Sequence, residues 1–213
     1  MSVLGELQPN KVFKYFEEIC SIPHGSRNLQ QISDYLVDFA KAHELKYRQD
    51  EDLNVIIWKD GSKGYEASEP VILQGHMDMV AVKEADCDKD MEKEGLDLEI
   101  NGDYISAKGT SLGGDDGIAV AYTLAVLDDE EMAHPPIEAI FTVNEEIGML
   151  GAATIDVSDL KGRLFMNMDS EDEGVFTVSC AGGASVICKI PYETETVLSL
   201  IHISEPTRLA LIS

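Results

Sequence analysis

The sequence predicts an α/β protein built as a layered sheet with helices on both faces. Short apolar runs bounded by turn residues carry the pattern of strands buried on two sides, and stretches with apolar residues at helical spacing alternate with them. A third observation is placement. Several acidic residues and a histidine follow the apolar runs directly, at the carboxyl ends of strands, where α/β sheets gather their sites.

Phe13, Phe16, Ile19 and Cys20 recur at helical spacing after Pro9 and Asn10, and Ile32, Leu36, Phe39 and Ala40 repeat the pattern after Ser26. Two amphipathic helices are therefore expected first. NVIIW, PVILQG, PIEAIFTV and RLFMNM then read as four strands covered on both faces. DDGIAVAYTLAVLDD, between the second and third of these, reads as a helix, and YISAKG as a polar strand. Residues 83–102 are polar, acidic and weakly patterned, which predicts a surface excursion.

Forty acidic residues against sixteen basic ones give a formal net charge of −24, so the field of the molecule opposes contact with nucleic-acid backbone or an anionic membrane. The opening MSVLGELQPNKVFKYFEEI has neither a basic leader nor a continuous apolar segment, and a cytoplasmic location is expected. Cys20, Cys87, Cys180 and Cys188 lack C-x-x-C spacing, which speaks against a zinc ribbon or a disulfide framework and for reduced thiols.

Three motifs match only by letter. Asp86, Asp88 and Asp90 resemble the start of a calcium loop, but Met91 stands where the turn requires glycine. GTSLG fits the nucleophile elbow of serine hydrolases, but the strand before it is polar and the later histidines are His134 and His202. The same glycines lack the G-K-[ST] of a phosphate loop, and Asp115 and Asp116 would repel phosphate.

In ILQGHMDMV, strand geometry puts residues two apart on one face, so His76 and Asp78 lie side by side. An imidazole satisfied by a neighbouring carboxylate is the ordinary reading of such a pair. Asp115 and Asp116, then Asn144, Glu145 and Glu146 after AIFTV, then Asp169 after LFMNM extend the set. Singly, Asp116 reads as a helix cap and the two glutamates as a solvated loop. Converging, these carboxylates would repel one another unless cations lay between them, and an imidazole with carboxylates suits zinc or a similar divalent ion.

GHMDMV, GTSLGGDDG, TVNEEIG and NMDSEDEG, in this order, resemble the motifs of the co-catalytic dizinc metallopeptidases that include aminoacylase, peptidase T and carboxypeptidase G, and the likeness covers nearly all of residues 1–197. The resemblance implies hydrolysis of dipeptides, Xaa-His among them, with aminoacylase or tripeptidase chemistry, or a metal-binding remnant without turnover, as alternatives. It implies two divalent ions, zinc with cobalt or manganese as substitutes. His76 and Asp169 would serve one ion, Glu146 the other, and Asp115 would bridge them. Asp78 would orient His76, and Glu145 would be the general base. The peptide joining Asp115 to Asp116 would be cis.

The resemblance also implies what is missing. Such enzymes close the site with a late histidine, beyond an inserted lid that supplies substrate-binding groups and the homodimer contact. Residues 1–185 then read as the N-terminal part of a catalytic domain and residues 186–197 as the start of the lid. LSLIHISEPTR resembles the in-frame translation of a sequencing-library adaptor, so residues 198–213 read as a non-native tail in which His202 has no function. A chain truncated in this way is expected to leave an open sheet edge and an uncovered apolar face, to dissolve poorly, and to be inactive by itself.

Overall fold

The computed structural model describes residues 2–170, 174–179, 182 and 186–192. It divides into Met1–Glu171 and Asp172–Ser213. In the second unit the described residues form no helix or strand and lie exposed to solvent. Cys180, the glycine-rich crossing toward the lid and the adaptor-like tail lie wholly or partly outside the described residues.

In the first unit, α1 (Asn10–Cys20) and α2 (Gln30–Ala42) form where the apolar spacing predicts them. The strands β1 (Lys46–Gln49), β2 (Val55–Lys59), β3 (Val71–His76), β6 (Ile137–Thr142) and β7 (Leu164–Asn167) make one mixed sheet in the order β1-β2-β6-β3-β7. The β1–β2 and β2–β6 pairs are antiparallel, whereas β3 runs parallel to both β6 and β7. The hairpin β4 (Leu98–Asn101) and β5 (Tyr104–Ala107) stands apart as a second sheet. The surface excursion therefore ends in a strand rather than running as loop to residue 102.

Strand alternation sorts the sheet into two faces. Val55, Ile57, Ala139 and Phe141 pack with α1, α2 and α3 (Gly114–Leu127) in the main core. The opposite face carries Ile56, Ile72 and Ile140, and α4 (Leu150–Thr154) borders it through Ala152. Among the described residues helices thus occupy both faces, three long ones on one side and a single short one on the other.

RLFMNM departs from expectation. Its strand β7 is exposed throughout, with Leu164 at 60% and Phe165 at 54% of full accessibility. Apolar composition predicted burial on both sides, but β7 lies at the sheet edge and no described element covers it.

Gly75 explains how close α3 comes to the sheet. A methyl group there would lie 2.9 Å from Asp116 Oδ2 and 3.1 Å from Ala119 Cβ, so only glycine lets the helix start dock on the end of β3.

Candidate metal centre

Three parallel strands end at one place. The end of β3 brings His76 and, two residues later, Asp78; the loop after β6 brings Glu145 and Glu146; the turn after β7 brings Asp169. The first residues of α3 bring Asp115 and Asp116 to meet them.

His76 is fully buried, and each ring nitrogen is committed. Nδ1 lies 2.9 Å from the main-chain oxygen of Asp78 and 3.5 Å from its Oδ1. A neutral ring holding its proton on Nδ1 donates to that carbonyl, which turns the lone pair of Nε2 toward the acids. Nε2 sits 3.0 Å from Asp115 Oδ1 and 3.9 Å from Glu145 Oε2. The expected neighbourhood of His76 and Asp78 holds, with the main-chain carbonyl of Asp78 as the nearer partner.

Asp78 is equally buried and fixes the loop after β6. Its Oδ1 accepts the backbone N–H of Glu145 at 2.9 Å and its Oδ2 that of Glu146 at 3.4 Å, while Ser26 Oγ donates to Oδ2 at 2.8 Å. One carboxylate therefore anchors both glutamates and the loop before α2. Burial pushes its pKa up, but hydrogen bonds from His76, Glu145 and Ser26 outweigh this and leave it below the ordinary aspartate range.

Asp116 corrects the sequence reading. The residue preceding α3 is Gly113, with φ +69°, and no side chain caps the helix. Asp115 and Asp116 have non-helical backbone angles, and the peptide between them is cis, as the resemblance implied. Asp116 is buried at 1% accessibility, and its Oδ2 accepts the backbone N–H of His76 at 3.1 Å. It faces into the site instead of closing a helix end.

Two donor sets result. His76, Asp115 and Glu146 form one, and His76, Asp116 and Asp169 the other; within each set the ligand-type atoms lie within 4.8 Å of one another. The electrostatics match a place meant for cations. Burial raises the Asp116 carboxyl to about 7, with the charges of Asp169 and Asp115 adding to it and His76 opposing. Burial also raises Glu145 and Glu146, helped by the neighbouring acids. For His76, burial lowers the pKa, but the hydrogen bond to Asp78 and the charges of Asp116, Asp78 and Asp115 carry it up to about 9. Carboxyl groups and an imidazole that all take up protons more readily than usual form a cluster short of positive charge. One imidazole and several oxygens fit zinc-like ions by donor chemistry.

All six sequence-predicted residues, His76, Asp78, Asp115, Glu145, Glu146 and Asp169, thus meet at this end of the sheet. Ser26 and the inward role of Asp116 were not foreseen. A cavity of about 430 Å³ opens beside Asp115, Asp116 and Asp169, and another of about 260 Å³ beside Glu145 and Asp169.

No protein-family model matches the chain. Cytosol non-specific dipeptidase from Escherichia coli (strain K12) is 39% identical over 197 residues, which is 92% of this chain and 41% of that protein. The crystal structure of aminoacylhistidine dipeptidase from Vibrio alginolyticus superposes with a TM-score of 0.78 at 40% identity, over 80% of this chain and 35% of the other. A tripeptidase from Staphylococcus aureus shares the fold at 23% identity and a TM-score of 0.64, over 79% of this chain and 45% of the other. The chain therefore spans less than half the length of each. In sequence and in fold alike, it is a homologue of cytosol non-specific dipeptidase, matched over 41% of that relative's length.

Proposed function

We propose that the chain carries the larger part of the two-ion centre of a metallopeptidase that hydrolyses dipeptides, Xaa-His among them. The observation behind this reading is the convergence of His76, Asp115, Glu146 and Asp169 at one end of the sheet, where its parallel strands stop, with Glu145 beside them. The identity to a dipeptidase supports the substrate class.

When bound, two divalent ions, zinc with cobalt or manganese as substitutes, supply Lewis acidity that polarises a peptide carbonyl and acidifies water. His76, with Nδ1 held by Asp78, offers only Nε2 to the centre, so a second cation depends on carboxylates. Asp115, exposed and with Oδ1 3.0 Å from Nε2, groups with His76 and Glu146, and in this reading it would be the carboxylate shared between the two ions. Glu145 is the remaining acid with a free carboxylate beside Nε2. Its Oε2 takes a proton from water and returns it to the leaving amine nitrogen. Burial and the neighbouring acids raise the pKa of Glu145, the direction that strengthens it as a base.

In this reading residues 1–185 form the catalytic part, residues 186–197 open an inserted lid, and residues 198–213 stand outside the enzyme. The full-length form acts on peptides in the cytoplasm as a homodimer. Among the described residues no helix is long and apolar enough to cross a membrane, and the relative's name places that protein in the cytosol.

The test is dipeptide hydrolysis by a full-length form after metal stripping and zinc reloading. Turnover that vanishes with chelation and returns with zinc supports the reading. Stoichiometric zinc uptake without hydrolysis of any dipeptide, acyl amino acid or tripeptide would leave a metal-binding protein instead.

A further inference from the structure

Glu138 is the second residue of β6, buried at 3% accessibility at the end of the strand away from the cluster of acids. Its carboxylate has no cation partner among the described residues. Instead, Oε1 accepts the backbone N–H of Lys161 at 2.9 Å, and Oε2 accepts those of Lys161 at 3.1 Å and Gly162 at 2.9 Å. A buried carboxylate without a counter-ion is costly, and one that spends its lone pairs on loop N–H groups has an anchoring function.

The anchored loop feeds β7. Two residues beyond Gly162 the ladder begins, with Leu164 opposite Val71 and Asn167 opposite Gln74. The Met168 N–H then bonds Gln74 O at 3.3 Å, and Asp169 follows, its N–H on Asn167 Oδ1 at 2.7 Å. Exposed side chains give this edge strand little burial to fix its register. A slip of two residues preserves the strand's facing and moves Asp169 by about 7 Å. That distance exceeds the 4.8 Å that groups Asp169 with His76 and Asp116.

Gly162 completes the device. A methyl group there would meet Ile72 Cγ1 at 2.8 Å, Pro70 O at 2.9 Å and Glu138 Oε2 at 3.2 Å. Only glycine brings its N–H down to the carboxylate.

We propose that Glu138 is a positioning residue that fixes the register of β7 and so delivers Asp169 to one ion of the centre. The proposal rests on the two-ion reading above. It is tested on the whole 213-residue chain by calorimetric titration with zinc and by the visible absorption of bound cobalt, for Glu138→Gln, Gly162→Ala, Asp169→Asn and the Glu138→Gln/Asp169→Asn pair.

Glu138→Gln and Gly162→Ala are expected to weaken one ion about 10- to 100-fold, the usual range for a residue acting behind a ligand. The other ion should be unchanged, and the pair should lose no more than Asp169→Asn alone. Circular dichroism checks folding; if Glu138→Gln does not fold, Gly162→Ala carries the test. Parent-like binding in either folded variant, while Asp169→Asn loses an ion, or full additivity in the pair, overturns the positioning role alone. Parent-like binding by Asp169→Asn itself would overturn the two-ion reading.

Discussion

Glu145 is the residue whose replacement separates binding from chemistry. Its carboxylate approaches His76 Nε2 but belongs to neither donor set, whereas its backbone N–H is held by Asp78. Glu145→Gln keeps that backbone anchor and removes the base. In a full-length form it should retain both ions while turnover falls about 10²- to 10⁴-fold, the span usual for a general base; steady-state kinetics with metal analysis checks both halves. The protons at the centre give a second expectation. In the metal-free protein His76 titrates at about 9 and Asp116 at about 7, both raised above their ordinary values. A raised pKa means that the folded state binds the proton more tightly, so each contribution is full below the ordinary value and lost as pH rises through the folded one. Metal-free thermal stability should therefore fall from about pH 4 to about pH 9, through Asp116 in the lower part of that range and through His76 in the upper part. Zinc must displace the same protons, so its affinity should climb over that interval and its uptake release protons. Thermal melts with and without zinc, and calorimetry in buffers of different ionisation heat, read both effects.

At the scale of elements, the contact of α3 with β3 sets the site. Gly75→Ala would push a methyl group against Asp116 Oδ2 and Ala119 Cβ, and a helix packed on the sheet yields little. Such overpacking should cost about 1–3 kcal/mol in denaturant melts, with loss of zinc affinity because Asp116 is the displaced group. The same elements explain what was legible. Helices α1 and α2 and strands β2, β3 and β6 stood out because their apolar residues are both periodic and buried. The strand β1, KYRQ, carries no apolar run because its side chains lie at an exposed edge. For β7 the letters were apolar but the burial was absent, a property of neighbours that a local pattern does not contain. Asp116 was misread because GDDG before an apolar run matches a cap, and only the irregular backbone of the first turn sends its carboxylate inward. Ser26 lies 52 residues from Asp78 and has no local signal at all. His76, Glu145, Glu146 and Asp169 were legible because strand ends are read directly from where apolar runs stop.

For the molecule as a whole, a net charge of −24 coexists with an apolar edge at β7 that no described residue covers. The charge keeps like molecules apart, while the edge invites addition of another strand or apolar layer. The order β1-β2-β6-β3-β7 has another consequence. β6 is the middle strand, yet it follows β2 and β3 in the chain and is the neighbour of both. As the polypeptide emerges, Val55–Lys59 and Val71–His76 each wait with the edge that meets β6 unclaimed until Ile137–Thr142 arrives to join them. Contacts of such long sequence separation are slow to close. A fragment ending before Ile137 should melt without cooperativity by circular dichroism, while one reaching past β7 should show a single transition. The keystone is synthesised after the strands it joins, and until it arrives the half-sheet has no middle.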